Sequence, residues 1–155
     1  MCAVSLTAML LALFSGRGER RAASFTPPPF DPAAVSGTPA VDASLGWTEI
    51  YQESMRFRAY VCGNVTEDGG RADVYFANSG EFHVWLKLRI LDKNGEILGE
   101  SGLIRPGEYV KSVALKKKIT DGQEIKMKIM AYEPDTYYSA GAAVLNTVIR
   151  KGGAG

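Results

Sequence analysis

Residues 83–132 read HVWLKLRILDKNGEILGESGLIRPGEYVKSVALKKKITDGQEIKMKIMAY, a succession of short runs in which apolar and polar side chains alternate. The runs are broken at Asp92-Lys93-Asn94-Gly95, Arg105-Pro106-Gly107 and Thr120-Asp121-Gly122. Successive side chains of an extended chain point to opposite faces, so alternation at period two makes one apolar and one polar face. Turn residues recurring about every eight to twelve positions fold such strands back on one another, and the pattern predicts an all-β, antiparallel sandwich or barrel.

Within this stretch, residues 83–91 place Val84, Leu86, Leu88 and Ile90 toward a core and His83, Trp85, Lys87 and Arg89 on the opposite face. Asn94-Gly95 tolerates the positive φ of a tight hairpin, which makes residues 96–101 the partner strand. Pro106 sets φ at one corner of the next turn and Gly107 supplies positive φ at the other. Residues 109–115 and 124–132 follow as strands, the latter with Ile125, Met127, Ile129 and Ala131 inward and Lys126, Lys128, Met130 and Tyr132 outward. Working outward, residues 47–52 suit an edge strand, and 55–62 and 72–77 suit half-buried strands. Residues 64–70 read as a polar loop carrying an Asn-Val-Thr glycosylation sequon, and 142–150 as the last strand. Counted from residue 55, about seven strands in about 100 residues match an immunoglobulin-like β-sandwich in number and size, without the cysteine and tryptophan hallmarks of antibody domains.

The remainder of the chain divides by composition. Residues 1–21 hold an apolar run (3–14) followed by Arg17, Glu19, Arg20 and Arg21, and read as an N-terminal apolar helix of signal or anchor type. The run is shorter than the roughly 20 residues that cross a bilayer core, and no basic region precedes it. Residues 22–45 carry five of the seven prolines and no apolar periodicity, as expected of a stiff linker. Residues 46–150 form the domain and 151–155 a flexible tail.

With 155 residues and 46% hydrophobic content, the chain supports one domain with a real core. Eighteen basic and 17 acidic residues nearly cancel, so no overall field directs it to nucleic acid. Cys2 and Cys62 lie in segments not expected to meet, and His83 is the single histidine; no disulfide framework, metal site or cofactor is expected.

The runs WLKLRILDKNGEILGESGLIRPGEYVKSV and IKMKIMAYEPDTYYSAGAAVLNT are similar to small, uncharacterised domains of anaerobic Firmicutes, over roughly the last two thirds of the chain. In those domains a strand, an Asn-Gly hairpin, a Gly-Leu-Ile-x-Pro-Gly-Glu turn and later strands build an immunoglobulin-like sandwich, often behind an anchor and a short linker. The resemblance implies that fold and an extracytoplasmic place; it carries no catalytic residue.

Two surfaces are candidates for binding. If the strands at 83–91 and 124–132 are neighbours, as in an immunoglobulin-like sheet, Trp85, Lys87, Arg89, Lys126, Lys128 and Tyr132 share an outward face. Like charges across strands cost about 0.2–1 kcal/mol, so the cluster calls for a nearby carboxylate or an anionic ligand such as a cell-envelope polymer. The alternative is a solvated face with Trp85 beneath a cationic stem. The loop 132–138 adds Tyr137 and Tyr138, suited either to recognition or to closing the domain's corner. Lys116, Lys117 and Lys118 suit a solvated strand end.

Glu100, Glu108, Asp73 and Asp135 could pair as acid and base only at a spacing that sequence does not set, and no nucleophile elbow or phosphate loop occurs. The expectation is a non-enzymatic extracytoplasmic binding or assembly module. It is tethered to the envelope membrane through its N-terminal segment, with protein or anionic polymer as partner. The alternatives are a purely structural accessory domain of a membrane or surface complex and, more weakly, a hydrolase with an unrecognised carboxylate pair.

Overall fold

The computed structural model describes residues 26–152. The apolar segment expected at 1–21 lies outside the described residues, as do 153–155. Among the described residues no helix is long and apolar enough to cross a membrane.

The described chain is all-β. Its strands are β1 (Val35–Ser36), β2 (Trp47–Ile50), β3 (Ala59–Cys62), β4 (Val65–Asp68), β5 (Arg71–Asn78), β6 (Trp85–Asp92), β7 (Ile97–Glu100), β8 (Glu108–Ala114), β9 (Gln123–Tyr132) and β10 (Ser139–Lys151). A 3-10 turn, Ala43–Leu45, starts on the Asp42 side chain and ends at Gly46, whose φ of 61° suits glycine. Pairing runs β1-β8-β5-β4-β10-β9-β6-β7, with β3 on β5 and β2 on β3. These strand pairs are antiparallel except β4 with the end of β10, where Ile149 faces Val65.

The sheet curls so that its two arms, β8-β5 and β10-β9-β6, bury their inner faces in one core. Phe76, Val110 and Val113 from the first arm meet Leu86, Leu88, Ile90, Met127, Ile129 and Ile149 from the second, all nearly inaccessible. Beyond the β6-β7 hairpin, a bridge between Gly99 and Leu115 brings the far end of the path back toward β8. Gly99 is required there, because a Cβ would stand 2.5 Å from the Ala114 carbonyl.

Three local differences from the sequence reading have physical causes. The polar loop expected at 64–70 contains β4: Val65 is buried, while Thr66, Glu67 and Asp68 pair across to β5 as a hairpin turned by two positive-φ glycines, Gly69 and Gly70. The strand expected from residue 55 is paired only from Ala59, because the Met55 N–H returns to the Gln52 carbonyl in a turn.

Third, part of the proline-rich segment is no spacer but a strap on the sheet. Asp31 N–H donates to the Leu103 carbonyl and Leu103 N–H to the Pro29 carbonyl, both at 2.9 Å, and β1 pairs with β8 through Val35 and Tyr109. Proline lacks a donor but keeps its carbonyl, so a proline-rich stretch can join a sheet margin through the residues between prolines. Gly102 makes the approach possible: a Cβ there would lie 2.6 Å from the Asp31 nitrogen.

Candidate functional site: the outer face of β6 and β9

Strands β6 and β9 are hydrogen-bonded neighbours, with Trp85 opposite Tyr132, Lys87 opposite Met130, Arg89 opposite Lys128 and Leu91 opposite Lys126. Alternation along the pair sends Leu86, Leu88, Ile90, Met127 and Ile129 into the core, where all are buried. It leaves Trp85, Lys87, Arg89, Lys126, Lys128 and Tyr132 on one outer face.

Arg89 and Lys128 are like charges set directly opposite, an unfavourable arrangement unless a carboxylate intervenes. Glu100 of β7 supplies it. Its Oε1 lies 3.2 Å from Lys87 Nζ and 3.1 Å from Arg89 Nε, and its Oε2 lies 3.8 Å from Lys116 Nζ. Partial burial pushes the Glu100 carboxyl upward. The Lys87 charge and hydrogen bond, with those of Arg89, outweigh that and hold it below the ordinary glutamate value.

Lys87 is not on the solvated face that alternation implies. Only 9% exposed, it lies under the strap, in a cleft of about 360 Å³ that it shares with Phe30, Asp31, Arg71, Glu100 and Ser112. The reason is the strap itself, which alternation within β6 cannot reveal. Asp31 turns one carboxylate oxygen to the Ala33 N–H and the other to the Gly102 N–H, which holds the strap in place.

Trp85 sits between two aromatic neighbours. Phe30 meets it edge-on at 4.7 Å between ring centroids, and Tyr137 does so at 5.6 Å. The Arg105 guanidinium lies 3.7 Å from the Phe30 ring centroid. The cationic cover expected over Trp85 is therefore one layer removed: Phe30 covers the indole and Arg105 covers Phe30.

The loop after β9 is a tight turn, with Tyr137 N–H on the Glu133 carbonyl and Glu133 N–H on the Tyr138 carbonyl. Asp135 and Tyr137 both have positive φ, 68° and 62°. This turn sends the Tyr137 ring to Trp85 and leaves Tyr138 72% exposed. Glu133 is also held by an ion pair with Arg56.

Lys126 and Lys128 have no ion-pair partner among the described residues. They lie opposite Asn146 and Val144 of β10, and Val144 is 54% exposed. The structure thus brings seven of the eight candidate residues to one side of the sheet but divides them: Lys87, Arg89, Trp85, Tyr132 and Tyr137 have partners within the fold, whereas Lys126 and Lys128 have no ion-pair partner among the described residues; Tyr138, the eighth, is exposed on the loop. Sequence reasoning missed Phe30 and Arg105, and named Glu100 only as a possible acid. A lone aromatic within a proline tract was the available signal for Phe30.

Of the other candidates, Lys117 pairs with Glu96, and Glu108 accepts from the Arg105 N–H. Cys62 is fully buried, and burial with the nearby Asp73 charge pushes its thiol up to about 11. Among the described residues no group of three or more His, Cys, Asp or Glu side chains is placed to hold a metal ion. Comparison of the chain with protein-family models, with curated proteins and with solved structures finds no match.

Proposed function

We propose that this chain is a non-enzymatic, extracytoplasmic binding or assembly module tethered to the cell envelope by its N-terminal segment. The observation that carries the binding part is the pair of uncompensated cations, Lys126 and Lys128, with the exposed Val144 opposite Lys128. Two free ammonium groups on a rigid strand, next to apolar surface, suit an anionic envelope polymer or an acidic protein surface.

The immunoglobulin-like sandwich belongs to the same reading, as does kinship with the small domains of anaerobic Firmicutes. Pairing of β5 with β8 on one arm, and of β10, β9, β6 and β7 in order on the other, supports the sandwich assignment, as does the parallel contact of β4 with β10.

A structural accessory domain is the second reading, favoured by two observations: Glu100 neutralises Lys87 and Arg89 internally, and Tyr137 packs on Trp85. Capture from detergent-solubilised membranes separates the two. The binding reading expects retention on anionic polymer, or a stoichiometric partner, that is lost on Lys126→Glu with Lys128→Glu at unchanged melting temperature. Unchanged capture by that double variant removes the basic face from the reading, and recovery of the full-length chain in cytosol removes the envelope placement.

A further inference from the structure

A second cleft, of about 460 Å³ and lined by none of the basic residues, lies between the strap at Gly37, the ring pair Trp47 and Tyr60, and the β5-β6 connection at Asn78 and Gly80. Its size falls within the range of about 300–1,000 Å³ typical of small-molecule sites.

The aromatic wall is fixed in advance. Trp47 and Tyr60 stack at 4.7 Å between centroids with 24° between planes. Both polar tips are engaged: the Trp47 indole N–H donates to the Tyr75 carbonyl at 2.7 Å, and the Tyr60 hydroxyl donates to Glu49 at 3.3 Å. Tyr75 presents that carbonyl from a bulge in β5, with φ of 45°. What the two rings offer the cleft is therefore ring surface rather than a donor.

Asn78 borders the cleft with its amide turned to the fold. It is 3% exposed, and its Nδ2 donates to the Val84 and Ile104 carbonyls at 2.9 and 3.2 Å. Two carbonyl acceptors fix the nitrogen's position, so the other amide atom is the oxygen. That Oδ1 has no hydrogen-bond partner among the described residues. Buried amide oxygens are ordinarily paired, but this one has under 1 Å² of accessible surface and is closed off from the cleft.

No acidic or basic side chain lines the cleft. A charged ligand would lose hydration there with no counter-charge to replace it. A ring with an apolar C–H face and hydroxyl groups matches the aromatic and uncharged polar lining. We propose that this cleft binds a neutral saccharide ring, its C–H face on the Trp47–Tyr60 pair and its hydroxyls toward the uncharged polar lining at Thr38 and Ser79. The site shares no side chain with the basic face and stands or falls separately from it.

Electrophoresis of the intact chain through gels containing a neutral glucan, mannan or galactan, with polygalacturonate as the anionic control, tests this. At least one neutral polymer is expected to retard the chain. Gly80→Phe is the informative variant, because a Cβ at Gly80 meets no atom within 4 Å and the fold can carry a side chain there. It is expected to weaken retardation at least tenfold with an unchanged melting temperature, as is Trp47→Ala if that variant folds. Lys126→Glu with Lys128→Glu is expected to leave it unchanged. Retardation by none of the neutral polymers, by polygalacturonate alone, or equally by Gly80→Phe overturns the proposal.

Discussion

Lys87 Nζ reaches Glu100 Oε1 at 3.2 Å although the strand register places Glu100 opposite Arg89 rather than Lys87. One carboxylate on β7 therefore discharges two neighbouring cations of β6. Their side chains are 11% and 31% exposed, and that of Glu100 is 26% exposed. Glu100→Gln leaves Lys87 charged beneath the strap without a counter-ion, and such a loss costs about 1–3 kcal/mol at this degree of burial. Urea unfolding should show the loss in the single variant and recovery of part of it in Lys87→Met with Glu100→Gln. Equal stability of Glu100→Gln and the parent chain would contradict the account.

The same pair sets a dependence on pH. The folded-state Glu100 carboxyl lies below its ordinary value of 4.5, so its contribution is fully present above that value. It is lost as pH falls through the lower folded value. The stability gap between parent and Glu100→Gln should therefore be full at neutral pH and close on acidification below about 4.5. A gap that widens in acid would show the sign to be wrong.

The strap depends on a missing side chain. Gly102→Ala places a Cβ against the Asp31 backbone, 2.6 Å from its nitrogen. Backbone cannot move aside as a flexible side chain can, so the strap must lift or the segment after β7 must shift, at about 1–3 kcal/mol. In a Trp47→Phe background, Trp85 emission should move to longer wavelength as Phe30 leaves it. Gly80→Ala, in open space, should lie within about 0.5 kcal/mol of the parent.

Alternation made the interior legible. The positions assigned inward in residues 84–90 and 125–131 are buried, and the turns at Asn94-Gly95 and Pro106-Gly107 fall between strands. Neighbouring of β6 and β9 followed from the strand count. The strap was not legible, because its attachment rests on backbone groups of Pro29, Asp31 and Leu103 and on the space over Gly102, none of which leaves an apolar period. Burial of Lys87 was hidden for the same reason: period two assigns a side chain to a face but says nothing of what covers that face.

Cys62 should be inert in the folded chain. Its thiol is raised from 9.0 to about 11 and has no solvent access. At pH 8 the thiolate fraction is then about a hundredfold below that of an ordinary cysteine, before access is considered. In a Cys2→Ser chain, a thiol reagent should label Cys62 only as fast as the domain opens, and promptly in denaturant. Rapid labelling under native conditions would place the thiol outside the core.

Tyr137 and Tyr138 are adjacent in sequence but divide their roles through backbone conformation. Positive φ at Tyr137 turns its ring onto Trp85, while Tyr138 stays exposed. An aromatic pair of this geometry contributes about 0.5–1.5 kcal/mol beyond area burial, so Tyr137→Ala should lower stability by about 1–2 kcal/mol. Tyr137→Gly should lose less than a shorter side chain alone predicts, because glycine adopts positive φ without steric cost. Tyr138→Ala should lie within about 0.5 kcal/mol of the parent. Under the binding reading, Tyr138→Ala should nevertheless reduce capture of partner or polymer, since its ring is the loop's exposed contact surface. If Tyr138→Ala leaves capture intact while Tyr137→Ala removes it only in proportion to unfolding, the loop serves the fold, and recognition must lie with Lys126 and Lys128 or elsewhere.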